Sequence, residues 1–147
     1  VPSPRHLGDV DRSRRKLFHM AADDIPPSPS TADEIKARLA HELPHWFYEG
    51  GWIRRKYRTH GWKGTLMVIN TVGHLAEAAW HHPDITASYA WVEVRLQNHA
   101  AKGITDKDFE LARKIEDVVH WQPGKAGGAL EGTPAEDQRF AYIKYDK

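Results

Sequence analysis

The sequence predicts an α+β fold, an antiparallel four-stranded sheet with three helices packed on one face, and two patterns carry that prediction. Three segments repeat their apolar residues at helical spacing, while the segments beside them alternate, or cluster, aromatic and β-branched residues as strands do. Helices gathered on one side of antiparallel strands bury both kinds of apolar surface. A length of 147 residues leaves room for one domain with its own core.

The elements follow in order. Residues 1–29 read as an extended N-terminal arm, polar and charged and closing on Pro26-Pro27-Ser28-Pro29. The domain proper is expected over residues 30–120. It opens with Thr31-x-x-Glu34, the spacing of a capping box, after which Ile35, Leu39 and Leu43 form a helical stripe that Pro44 halts. Trp46-Phe47-Tyr48 and Trp52 to Tyr57, divided by Gly50-Gly51, predict a β-hairpin. A second helix is expected from about Thr65 to Trp80, with Leu66, Ile69, Val72, Gly73 and Ala76 on its packing face and Pro83 stopping it near His81. From Tyr89 to His99 the alternation predicts one strand, with Ala90, Val92, Val94 and Leu96 turned inward. Thr105-x-x-Asp108 resembles a second capping box, and Leu111, Ala112, Ile115 and Val118 or Val119 mark the third helix. Residues 121–147 read as a C-terminal loop that ends in an extra edge strand over Phe140 to Tyr145.

Composition narrows the function. Lys and Arg number 21 against 20 Asp and Glu, a formal charge of +1, so no basic excess marks a nucleic-acid partner. The absence of cysteine excludes disulfides, thiolate nucleophiles and Cys-based zinc sites. No apolar run approaches the ~18 residues of a membrane span. Arg14-Arg15-Lys16-Leu17-Phe18 has the look of a twin-arginine export signal, but no apolar region follows it, and a cytoplasmic protein is expected. Ten histidines and six tryptophans stand out.

Three of those histidines carry the chemistry. Glu77 and His81 are four apart on the predicted second helix and so share a face. His82 leaves in another direction because Pro83 requires extended backbone before it. His99 ends the predicted strand on its outward face. Three imidazoles at element ends suit a reaction that consists of proton transfer near neutrality. Duller roles are available for the neighbours: Asp108 as a helix cap, Tyr89 as sheet cover, Pro83 as a helix stop and Glu77 as a surface acid. Metal binding by the histidines is disfavoured, because adjacent histidines chelate awkwardly and no carboxylate or cysteine pattern completes a site.

The spacing Glu77-x3-His81-His82-Pro83-x5-Tyr89-x9-His99-x8-Asp108 closely resembles the motif of the pterin-4a-carbinolamine dehydratases. An Ile53-x-Arg55-x-Tyr57 strand and Gly103-Ile104-Thr105 before the last helix extend the resemblance over about Thr31 to Val119. It implies a hydro-lyase that dehydrates 4a-hydroxytetrahydropterin to quinonoid dihydropterin, with the pterin as substrate and neither cofactor nor metal. By position, His81, His82 and His99 would be catalytic and Glu77 would orient His81. Glu77, Trp80, Pro83 and Asp108 would form the substrate-binding surroundings. The resemblance also implies a homodimer or homotetramer joined through the sheets. An alternative is a binding, assembly or coactivator protein on the same fold, its partner held by the two extensions. The sequence departs from the pattern at Asn98, where the family usually has Thr, and at Lys102-Gly103, where Gly-Gly is common. Trp80 is bulkier than the pattern expects.

Overall fold

The computed structural model describes residues 29–146, so the expected arm lies outside the described residues apart from Pro29. The elements run α1 (Ala32–Glu42), β1 (Phe47–Glu49), β2 (Trp52–Thr59), α2 (Trp62–Ala79), β3 (Asp84–Ser88), β4 (Trp91–Leu96), α3 (Asp106–Val119) and β5 (Ile143–Lys144), with one 3-10 turn over Pro123–Lys125. The sheet is antiparallel in the order β1-β2-β4-β3, and the two-residue β5 adds to β2. The fold class is the expected one: four main strands and three helices, with a short fifth strand where the C-terminal edge strand was predicted.

Local chemistry explains each element. Glu34 N–H donates to Thr31 Oγ1, closing the start of α1. Gly50 and Gly51 both take positive φ, 62° and 83°, the pair of values that a tight two-residue hairpin turn between β1 and β2 requires. Alternation then decides the core. Ile53, Arg55, Tyr57 and Thr59 of β2 and Val92, Val94 and Leu96 of β4 turn inward and are buried against the helices.

Two predictions need correcting. The single strand expected from Tyr89 to His99 is a hairpin: β3 begins at Asp84, directly after Pro83, and Tyr89-Ala90 forms the two-residue turn into β4. Neither turn residue has positive φ and neither is Gly, Asn or Asp, so the turn carries no ordinary hairpin signal. β3 is an edge strand of which only Ile85 is even partly covered, which hides its alternation. The packing face of α2 also differs. Gly64, Thr65, Val68, Val72 and Ala76 are buried, whereas Leu66 and Gly73 are exposed and Ile69 is half-buried. The run Leu66-Met67-Val68-Ile69 is apolar all round, so spacing alone does not choose between faces. In α3 it is Val119, not Val118, that packs inward.

The end of the sheet near Thr59 is held by buried polar groups. Arg55 is 3% exposed, and its Nε and Nη2 donate to Glu116 of α3 at 2.9 and 3.0 Å. Glu116 also accepts from Tyr57 Oη at 2.6 Å and Trp46 Nε1 at 2.9 Å, so one carboxylate ties α3 to β2 and to the residue before β1. Arg55 Nη2 further contacts His120 Nε2 at 3.1 Å and pairs with Asp146 of the C-terminal segment. Burial alone would raise the Glu116 carboxyl, but hydrogen bonds from Arg55 and Tyr57 hold it below the ordinary range. Burial lowers His120, with the Arg55 charge adding to the effect. For Asp146 burial acts upward and is outweighed by the Arg55 hydrogen bond, leaving it lowered.

Two outcomes follow. All three depressed groups bind fewer protons folded than unfolded, so stability must fall as pH falls. The loss begins below about 6.5 with His120 and continues below about 4.5 and 3.8 with Glu116 and Asp146. Thermal unfolding against pH checks this, and His120→Gln should flatten the upper stage only. Gly64→Ala gives a test of sign. Helix propensity alone predicts a gain of about 1 kcal/mol, but a Cβ at Gly64 would lie 2.3 Å from the Tyr142 carbonyl oxygen. Urea unfolding should therefore show a loss of about 1–3 kcal/mol instead.

Candidate active site

The end of α2 sets the site. Trp80 takes the left-handed conformation, φ 52° and ψ 44°, and closes the helix, its N–H bonding Glu77 O at 3.2 Å while His81 N–H reaches back to Ala76 O at 3.1 Å. That turn is normally made by glycine, and for an L-residue with a side chain it costs about 1–2 kcal/mol. Among the described residues only one other non-glycine, Lys102 at φ 55°, has positive φ, and it lies in the turn that carries His99. Both strained residues thus sit on the two segments that bear the histidines.

Because the helix closes at Trp80, His81 leaves the helical register. The Glu77–His81 pair expected from i,i+4 spacing therefore does not form. His81 Nε2 instead meets Asp108 Oδ1 at 2.6 Å, and it is His82 Nε2 that meets Glu77 Oε2 at 3.0 Å. A carboxylate only accepts, so in each pair Nε2 is the donor and Nδ1 is the nitrogen that the acid does not engage. Adjacent imidazoles are thereby held through the same ring nitrogen by separate acids. The two environments differ sharply: Asp108 is fully buried and the His81 side chain is 16% exposed, against 52% for His82 and 67% for Glu77.

Asp108 has a second duty. Its Oδ2 accepts the Thr105 N–H at 2.9 Å, the acidic half of the predicted capping box at the start of α3. Thr105 Oγ1 in turn accepts from Asn98 Nδ2 at 3.2 Å, and Asn98 Oδ1 accepts the Ala101 N–H at 3.1 Å. Asn98 also exchanges two backbone hydrogen bonds with Gly103. His99 is therefore carried on a turn braced from within, joined through Asn98, Thr105 and Asp108 to His81. Its exposed ring stands edge-on to Trp52 at 5.8 Å. Sheet register brings the parts to one end: Asp84, two residues after His82, pairs with Arg95, four residues before His99.

The sequence-predicted residues divide accordingly. Glu77, Trp80, His81, His82 and Asp108 are linked by direct contacts, the Trp80 and His82 rings being perpendicular at 5.1 Å. Pro83 lies between His82 and β3 and fixes the extended entry to that strand. Tyr89 is at the opposite end of the β3–β4 hairpin, beside Gly61. By sequence Asn98 is a departure from the family pattern and Thr105 a cap. Their joint role shows only once the 98–103 turn is folded against α3, although a polar residue at the inward end of the alternation was a signal. Among the described residues no three acidic or histidine side chains converge as a metal site. A cavity of about 600 Å3 lined by Trp121, Pro123, Lys125, Thr133, Tyr142 and Tyr145, among others, belongs to the C-terminal segment and includes none of the three histidines.

The model of the family described as Pterin 4 alpha carbinolamine dehydratase matches residues 28–118. The chain belongs to that family. A relative from Aquifex aeolicus is 40% identical over 87 residues, covering 59% of this chain and 87% of its own. One from Thermomicrobium roseum is 40% identical over 87 residues, covering 59% and 94%. Each bears the name "Putative pterin-4-alpha-carbinolamine dehydratase". A crystal structure of a transcriptional coactivator/pterin dehydratase from Brucella melitensis shares the fold at 23% identity and a TM-score of 0.57, covering 63% of this chain and 99% of that one. The strained Trp80 turn, both carboxylate–histidine pairs and the His99 turn all fall within the dehydratase match. Among the described residues, no helix is long and apolar enough to cross a membrane.

Asp108→Asn tests the orientation of His81. The amide would still accept the Thr105 N–H but would offer His81 a donor in place of an acceptor. Nitrogen NMR should then show the neutral His81 ring shifting from the Nε2–H toward the Nδ1–H tautomer, with His82 unchanged.

Proposed function

We propose that this protein dehydrates a 4a-hydroxytetrahydropterin to the quinonoid dihydropterin, with His81, His82 and His99 exchanging the protons. The observation that carries the reading is the pair of adjacent imidazoles, each held through Nε2 by its own carboxylate, in a chain of the dehydratase family. The chemistry needs little more. One proton must reach the 4a oxygen so that it leaves as water, the C4a–O bond breaking as it goes. A ring-nitrogen lone pair forms the new double bond, and the proton on that nitrogen passes to a base. One proton enters, one leaves, and no electron is gained or lost. Histidines do both jobs near neutrality. Asp108 acts as a positioning residue for His81, and Glu77 does the same for His82.

A second reading, partner binding, is favoured by one observation: the structural relative from Brucella melitensis carries a coactivator name beside the dehydratase one. We further propose a homodimer or homotetramer, for which the exposed edge strand β3 offers unpaired backbone groups to a second copy. Light scattering on the purified chain reads the subunit count.

The assay of synthetic 4a-hydroxytetrahydrobiopterin by its ultraviolet change tests the enzyme reading. Wild type should far exceed the spontaneous rate, and His82→Ala and His99→Ala should each lose about 10²- to 10⁴-fold of that excess. A wild-type rate equal to that in buffer would sink the reading and leave partner binding in its place.

A further inference from the structure

Trp80 breaks two rules at once. It holds the left-handed conformation at a position where glycine or asparagine would close the same helix without strain. It also leaves its indole 76% exposed, more than any other large hydrophobic side chain among the described residues, so core packing does not compensate for the strain. Backbone strain retained without a packing return is a signature of function rather than of folding.

Its place narrows what that function is. The indole follows Glu77 by three residues and directly precedes His81, and its ring stands perpendicular to that of His82 at 5.1 Å. Glu77 holds His82 at 3.0 Å, so the indole and the carboxylate both meet the same imidazole. Trp121, Trp62 and Tyr89 are exposed too, yet none has positive φ and none is seen against a histidine of the site. A large, flat, desolvation-ready surface beside proton-transfer groups suits a flat heteroaromatic ring, for which aromatic stacking supplies sequence-tolerant but ring-specific affinity.

Resting on the dehydratase reading above, we propose that Trp80 is a specificity-determining residue that stacks on the bicyclic ring of the pterin and sets it against His82. Contact is with the ring, not with the substituent the ring carries. Trp80 thereby supplies affinity at the expense of fold stability, and the two quantities must move in opposite directions when it is replaced.

The experiment uses the full chain and two stable pterins that do not react, 7,8-dihydrobiopterin and 6-methyl-7,8-dihydropterin. Their dissociation constants are measured by calorimetry on wild type, Trp80→Asn and Trp80→Phe, with melting temperatures alongside. Trp80→Asn should melt a few degrees higher and bind both pterins roughly tenfold more weakly. Trp80→Phe should recover part of the affinity without the gain in melting temperature. Binding by Trp80→Asn within twofold of wild type would overturn the proposal while wild-type turnover keeps the dehydratase reading. Weakening confined to dihydrobiopterin would also overturn it, by placing the contact on the substituent. A lower melting temperature for Trp80→Asn would make the indole a structural residue. A wild type that binds neither pterin and adds nothing to the spontaneous rate would remove the functional reading itself, and this inference with it.

Discussion

The Asp108 carboxylate is the constraint on which the site depends. It is fully buried, and a buried acid must find partners for both oxygens or destabilise the fold. One oxygen takes the Thr105 N–H and so starts α3; the other takes His81 and so fixes the segment after α2. A single side chain therefore joins the N-terminus of one helix to the C-terminal exit of another. The cap starts a helix and the histidine contact orients a ring, and both rest on the same carboxylate.

A second carboxylate, Glu116, does comparable work further along α3 without touching His81, His82 or His99. Its four donors come from Arg55, Tyr57 and Trp46, which lie on β2 and just before β1. Replacing a buried ion pair of this kind with apolar residues is often neutral, whereas removing one partner is costly. The network therefore specifies where α3 sits on the sheet more than it adds to net stability. Arg55 also pairs with Asp146, so the C-terminal segment contributes to the charge balance of a residue deep in the domain. The two carboxylates thus anchor α3 toward both ends, Asp108 near its start and Glu116 near its finish.

Much of this was legible in the sequence. The helices, the Gly50-Gly51 hairpin and the inward set Val92, Val94 and Leu96 follow from spacing and turn chemistry, which are local. The histidine positions followed from a motif. The rest was decided by one backbone angle, by a distant partner, by how little β3 buries, or by an apolar run in α2 that shows no single face. Helical spacing paired Glu77 with His81, but a left-handed Trp80 takes His81 out of the helix, and no residue scale expects tryptophan there. β3 was missed because Asp84 to Ser88 is an edge strand with little to bury, entered from a proline and left by an unmarked turn. Asn98 read as a departure because the groups that satisfy it, Thr105 Oγ1 and the Ala101 N–H, are reached only after the chain has turned.

The same dependence on tertiary context sets where the two segments that bear the histidines lie. His82 and His99 sit on different segments, and what relates them is the register of the β3–β4 ladder, Asp84 opposite Arg95 through Ser88 opposite Trp91. A slip of one residue would turn Val92, Val94 and Leu96 out of the core, so burial of those three fully covered side chains locks the register. The apolar face of β4 thus sets the relative position of two segments that carry polar groups beyond the open end of the hairpin. Strain is then confined to the turns that complete the approach, at Trp80 and Lys102, where the core cannot reach and the local backbone must bend to deliver each imidazole. The division is physical: the sheet fixes position along the strands, the carboxylates fix ring orientation, and the two left-handed residues supply the last change of direction.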